Sequence, residues 1–175
     1  SVAVLGGSAA MMLFRCLRIR EALAALDSAV LLLLAAAIPL GLAMERTGMA
    51  ATLAESILGL AQDHGPVVLI SVLYLITSVL TAFLTNTATA ALLVPIVLQV
   101  AVTSGYDPKP MLIAVMFGAS ASFVTPIGYQ TNLLVMGPGG YLFRDYLKIG
   151  LFLNLLLWIA ATVLIPVFWP LGGAM

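Results

Sequence analysis

The residues best equipped for chemistry in this sequence are hydroxyls and amides set in uncharged runs. Thr77, Ser78, Thr81, Thr85, Thr87 and Thr89 gather around Asn86, inside a stretch from Gly65 to Tyr106 with no charged residue. Ser120, Ser122, Thr125, Gln130, Thr131 and Asn132 form a second cluster, and no charge falls between Pro110 and Phe143. An unsatisfied polar group is costly in hydrocarbon. Polar groups at such depth are therefore partnered within the protein or line a cavity.

Groups of this kind suit two ligands. A sodium ion takes neutral oxygens, which helix C-terminal carbonyls, Ser and Thr hydroxyls and Asn amides supply. An anion takes N–H dipoles and hydroxyl donors, and half-helix N-termini supply those. Asn86 could turn its oxygen to a cation and its NH₂ to a carboxylate. The arm before the tip should end in carbonyls near Thr81–Leu84. The arm after it should begin with free amides near Thr87–Thr89. Neither run contains a Lys or Arg. A bound anion would then be neutralised by cations and dipoles, which points to cation-coupled symport rather than to a basic pocket.

Positioning such clusters requires long apolar elements, and the composition provides them. The chain is 63% hydrophobic and 8% charged, with mean hydropathy +1.19. A soluble domain carries about 25% charged residues. The expected class is an all-α, polytopic membrane protein, multi-pass in the cell (inner or plasma) membrane. Zero net charge and the lack of a basic face argue against a nucleic-acid partner. Cys16 is the single cysteine, so no internal disulfide or cysteine metal cluster is expected.

The elements follow from the spacing of charges, Pro and Gly. Residues 1–14 are apolar but short of the roughly 20 needed to span, so they read as the tail of a partial span that starts earlier. Arg15, Arg18 and Arg20 follow, and Asp27 offers a cap for a span over 27–45. Residues 48–63 read as an interfacial helix, with Leu53, Ile57, Leu60 and Ala61 at helical spacing. His64 stands alone, without metal-ligand spacing, so no transition-metal site is expected. Residues 66–104 form two apolar arms about the Thr85-Asn86-Thr87 tip. Both arms could cross fully, or the pair could be a re-entrant hairpin. The tip has no charge, Gly or Pro, and hydroxyls concentrate toward it, which favours the re-entrant form.

Asp107-Pro108 and Lys109-Pro110 predict an extended turn with a helix starting at the second Pro. Residues 109–137 read as a broken span, interrupted at Thr125-Pro126-Ile127-Gly128. A kinked span with self-bonded Ser and Thr is the plainer alternative. Residues 149–170 form the last span. Placing Arg15, Arg18, Arg20, Arg144 and Lys148 in the cytoplasm leaves Arg46 and Lys109 outside.

Thr85-Asn86-Thr87-Ala88-Thr89-Ala90 resembles the hairpin-tip signature of the divalent anion:sodium symporter family, within the wider ion-transporter superfamily. Thr125 to Asn132, continuing through Met136-Gly137-Pro138-Gly139-Gly140-Tyr141, resembles the broken helix and turn of its bacterial permeases. Met44-Glu45-Arg46-Thr47-Gly48 is similar to the span end before its interfacial helix. The resemblance implies one half, the C-terminal one, of an inverted-repeat transporter. It implies a sodium site at Thr81, Leu84, Thr85, Asn86, Val124 and Thr125, and substrate contacts at Asn86, Thr87 and Thr125. Thr85 stands where the family has Ser.

Sodium would be the coupling ion, with no other cofactor. The implied partners are a small anionic substrate, the lipid bilayer, an N-terminal half of the same transporter and a second copy in a homodimer. The expected activity is uptake of a di- or tricarboxylate, or of an inorganic divalent anion such as sulfate. A metalloid-oxyanion or sodium/proton exchanger of the same superfamily is the nearest alternative. A non-transporting membrane scaffold is an alternative of another class. An enzyme is not expected, because the hydroxyls have no base beside them.

Overall fold

The computed structural model describes residues 28–61 and 65–170 and, before them, residues 6–7, 10–11, 14 and 16. Only isolated positions of the expected partial span 1–14 fall among these. Arg15, Arg18, Arg20, Asp27 and His64 lie outside them. Contacts divide the chain into two compact units, Ser1–Ala35 and Ala36–Met175, with the boundary inside the first helix. In the first unit, Phe14 N–H donates to the Ala10 carbonyl at 2.9 Å.

The described residues are helical, without strands. In chain order the helices are α1 (Ser28–Arg46), α2 (Met49–Ala61), α3 (Pro66–Thr81), α4 (Asn86–Ser104), α5 (Pro108–Ser120), α6 (Gln130–Met136) and α7 (Phe143–Phe168). Local signals set their ends. Pro66 opens α3 at the first helical position, where its missing N–H costs nothing. Thr85 caps α4 by accepting from Ala88 N–H at 3.3 Å. Gly105, at φ 72°, closes α4 in the left-handed conformation, its N–H on the Ala101 carbonyl at 2.9 Å. Helix α5 starts at Pro108, not at the expected Pro110. The Asp107 carboxylate accepts from Lys109 N–H at 2.9 Å, and both prolines fit in a first turn that needs no donors.

Helix α3 is the hub. It packs on α5, α7, α2 and α4, with its most extensive contact to α5. Gly118 makes that contact possible: a Cβ there would sit 2.9 Å from Thr77 Cβ and 3.0 Å from the Tyr74 carbonyl oxygen. Leu69 and Leu73 of α3, Ile96 and Val97 of α4, and Met111 and Val115 of α5 form the main core.

Helix α2 adds Ala50, Ala54, Ile57 and Ala61 to that core. Of the apolar positions expected at helical spacing, Ile57 and Ala61 lie in this core and Leu53 and Leu60 are exposed. Small alanines let α2 approach α4 closely, whereas leucines would hold it off. Pro95 of α4 faces α1, with its Cβ 3.5 Å from where a Gly41 side chain would begin. Helices α4 and α7 are long and apolar enough to cross a membrane. Most of α7 faces outward; among its described residues only Gly150, Asn154 and Ile165 are buried.

Candidate functional site at the two helix breaks

The tip is short. Helix α3 ends at Thr81, residues 82–85 turn, and α4 begins at Asn86. Leu84 N–H closes back on the Leu80 carbonyl at 2.9 Å. Thr85 serves α4 twice: its hydroxyl accepts from Ala88 N–H, and its carbonyl accepts from Thr89 N–H at 2.9 Å. The expected free amides at Thr87–Thr89 therefore shift toward the tip. At the start of α4, the backbone N–H groups of Asn86 and Thr87 have no partner among the described residues.

The second break faces the tip. Helix α5 ends at Ser120, residues 121–129 run irregularly, and α6 begins at Gln130. Three hydroxyls lace the breaks together. Thr81 Oγ1 lies 2.9 Å from the Ala119 carbonyl oxygen and 2.9 Å from Asn86 Oδ1. Ser122 Oγ donates to the Thr81 carbonyl at 3.2 Å. Thr125 Oγ1 donates to the Ala82 carbonyl and accepts from Gly128 N–H at 3.3 Å.

Behind them, Asn132 Nδ2 donates to the Ser122 carbonyl at 2.7 Å and the Thr125 carbonyl at 3.3 Å. Tyr146 of α7 holds Asn132 in turn, donating to its carbonyl at 2.8 Å. Gly128 sits where a Cβ would overlap both the Thr81 carbonyl oxygen and Ser122 Oγ. No charged side chain takes part in these bonds.

The hydroxyl of Thr81 donates its one hydrogen to the Ala119 carbonyl, and the Asn86 amide meets its oxygen at 2.9 Å. Ala119 lies in the last turn of α5, where carbonyls lose their helical donors. The junction of α3 and α5 is thus richer in acceptor oxygens than in donors. Thr81, Ser122 and Thr125 are all buried. Thr89 Oγ1, one turn along α4 from Asn86, is also buried and has no partner among the described residues.

Of the residues expected at a site, Thr81, Asn86 and Thr125 belong to this laced junction. Thr87 is exposed on the first turn of α4. Leu84 is exposed, and Thr85 commits its hydroxyl to the cap. Val124 is half-buried on the side of α7, where a Cβ on Gly150 would come within 2.8 Å of its Cα. The Ala82 carbonyl falls in the expected run of carbonyls near Thr81–Leu84; sequence reasoning missed that of Ala119, which no side chain announces. It marked Ser122–Asn132 as a polar break with Gly128 in the interruption, but gave Ser122 and Asn132 no role of their own.

It also missed Asn154, which donates to Ser78 Oγ at 2.9 Å, and Trp158, whose Nε1 donates to Ser71 Oγ at 2.8 Å. A lone amide in the run Ile149–Trp169 was the available signal.

An all-helical chain with membrane-length apolar helices, and with two helix breaks joined through neutral polar groups, fits a membrane transporter. The chain belongs to the citrate transporter family, which matches residues 1–174. It is 40% identical over 169 residues to an uncharacterized transporter of Synechocystis sp., covering 97% of this chain and 28% of that protein. It is 32% identical over 157 residues to the uncharacterized transporter YfbS of Escherichia coli, covering 90% and 26%. A sodium/sulfate cotransporter 2 of Chlamydomonas reinhardtii is 35% identical over 144 residues, covering 82% and 16%. The chain spans about a quarter of the length of the first two relatives. The tip and the broken segment had pointed to this wider superfamily of ion transporters.

Proposed function

We propose that the chain forms the C-terminal part of a secondary transporter, one that couples sodium to the uptake of a small anion. The anion is a di- or tricarboxylate, or an inorganic divalent anion such as sulfate. The surplus of acceptor oxygens where α3 and α5 end carries the reading. Helix C-termini are the negative ends of their dipoles, and neutral hard oxygens are what an alkali cation takes in place of water. The ligand set is Asn86 Oδ1, the hydroxyls of Thr81 and Thr125, and the backbone oxygens around Leu84 and Val124. Thr85 completes it through the α4 cap.

The anion lies on the other side of Asn86. The unpaired amides of Asn86 and Thr87 open α4, whose N-terminus is the positive end of its dipole. Thr87 adds a hydroxyl donor; Thr125, expected as a second substrate contact, would have to release the Ala82 carbonyl to donate. The cation then offsets anionic charge that no Lys or Arg at the junction offsets. In this reading α3 and α4 are the arms of a re-entrant hairpin, and α5 and α6 are the halves of one broken span. Helix α2 lies at the membrane interface. Residues before this chain complete the site, and two copies form a dimer in the cell membrane. The citrate transporter family and the sodium/sulfate cotransporter among the relatives support the ligand classes.

The test is uptake by the full-length protein in proteoliposomes. An inward sodium gradient should drive accumulation of labelled citrate, succinate or sulfate, and replacing sodium with choline should stop it. Uptake that proceeds equally in choline would refute sodium coupling.

A further inference from the structure

A cavity of about 250 Å³ lies between the second break, the first turn of α6 and the start of α7. Asp145 is the one charged residue in its lining, which also holds Asn132, Phe123, Tyr141 and Tyr146. The Asp145 carboxylate is half-buried and accepts Leu142 N–H through Oδ2 at 2.8 Å, and its other oxygen has no partner among the described residues. A helix N-terminus carries about half a positive charge, so capping α7 does not use up the full charge of Asp145.

The other polar groups of the lining are mostly acceptors too. Asn132 Nδ2 spends its hydrogens on the Ser122 and Thr125 carbonyls, at 2.7 and 3.3 Å, which fixes Oδ1 as the free end of the amide. Tyr146 gives its hydrogen to the Asn132 carbonyl at 2.8 Å and keeps only lone pairs. The Tyr141 hydroxyl, on an exposed residue, can still donate. The Tyr141 and Tyr146 rings stand edge to face, with centroids 6.1 Å apart. Aromatic rings beside a carboxylate suit an organic cation, and a primary ammonium brings three N–H donors to the acceptors. An inorganic cation would want further oxygens and gain nothing from the rings or from Ile149 and Leu153.

The surroundings indicate what carries the ammonium. Helix α7 is long and apolar enough to cross a membrane, and its polar first turn then lies at the level of lipid head groups. Arg144 and Lys148 are exposed and four positions apart, so they share a face of α7 and can take a phosphate. Leu142, Phe143, Leu147 and Ile149 are exposed around them, an apolar flank for acyl chains.

We propose that this cavity binds the primary ammonium of an aminophospholipid, of the phosphatidylethanolamine kind, on Asp145, Asn132 and the Tyr141 and Tyr146 rings, with the lipid phosphate on Arg144 and Lys148. The assignment rests on α7 as a membrane span and not on sodium coupling. The bound head braces Asn132 and Tyr146, which hold the second break from behind.

The test titrates the full-length protein in detergent with phosphatidylethanolamine and counts bound lipid by native mass spectrometry. Phosphatidylethanolamine should bind more tightly than phosphatidylcholine or phosphatidylglycerol of the same chains. Free ethanolamine at millimolar concentration should not displace it. Asp145→Asn keeps an oxygen for Leu142 N–H but removes the charge, and should weaken the binding about tenfold. Tyr141→Leu removes an exposed ring and should weaken it about threefold. Lipid-free melting, unchanged in both variants, is the folding control. Equal affinity for the three lipids, unchanged binding in both variants, or displacement by free ethanolamine would each overturn the proposal, the last by giving the cavity to a soluble amine.

Discussion

The hydroxyl of Ser122 reaches the carbonyl of Thr81 at 3.2 Å, joining positions 41 residues apart. The bond ties the last turn of α3 to the chain leaving α5, in a buried place where water cannot replace it. Ser122→Ala should lower the stability of the full-length protein by about 1–2 kcal/mol. It should also raise the sodium concentration for half-maximal uptake, because the Thr81 carbonyl is freed from its tether. Thermal unfolding in detergent and a sodium titration of uptake check both effects. A variant with wild-type melting and sodium dependence would show that the lace does not hold the junction.

Gly128 gives a sharper test of the same closeness. A methyl group there would overlap the Thr81 carbonyl oxygen and Ser122 Oγ. The first of these is backbone and cannot rotate away, so the breaks must separate. Overpacking of this kind costs about 1–3 kcal/mol. Gly128→Ala should therefore abolish most sodium-driven uptake while leaving membrane expression detectable. Gly137→Ala, where nothing lies within 4 Å, should behave as wild type. Equal uptake by the two variants would contradict the geometry.

Much of this arrangement was legible in the sequence, and the exceptions have physical causes. Uncharged runs with Ser, Thr and Asn clusters mark where helices break, because polar side chains in apolar runs need a local reason. Pro66, Thr85 and Gly105 carry capping chemistry that acts within a few residues, so the bounds of α3 and α4 could be read closely. The packed face of α2 was legible in part: Ile57 and Ala61 were marked by their spacing, but Ala50 and Ala54 carry little hydropathy signal, and close approach rewards such small residues. The backbone oxygen of Ala119 leaves no mark in the sequence either, since every residue has a carbonyl. The bond from Asn154 to Ser78 spans 76 positions, and only the packing of α7 on α3 creates it.

Thr87 bears on how the hairpin sits in the membrane. It is exposed on the first turn of α4, beside the unpaired amides. With the hairpin re-entrant from outside and the tip at the solute site, a cysteine at position 87 should react with an impermeant thiol reagent added outside. Sodium and substrate together should slow that reaction about tenfold or more, a difference of about 1.4 kcal/mol. The measurement is the labelling rate in intact cells and inverted vesicles, with Cys16 replaced. Reaction from the cytoplasm alone under all conditions, unaffected by ligands, would count against the re-entrant arrangement.

Asn86 and Thr81 are the pair on which the ion assignment rests. Thr81 Oγ1 sits 2.9 Å from the Asn86 amide and 2.9 Å from the Ala119 oxygen. Asn86→Ala removes an acceptor that lies on no buried core face, since Asn86 is only half-buried. It should abolish sodium-dependent uptake and spare expression. Thr81→Val keeps the shape but deletes the hydroxyl, leaving the Ala119 oxygen without its donor. Its sodium requirement should rise about tenfold, the effect of about 1.4 kcal/mol on binding, and melting should fall by about 1 kcal/mol. The two variants separate ion binding from folding. Loss of uptake with a normal melting profile in Asn86→Ala assigns the effect to the ligand site. Wild-type sodium dependence in both variants would move the ion site away from this junction.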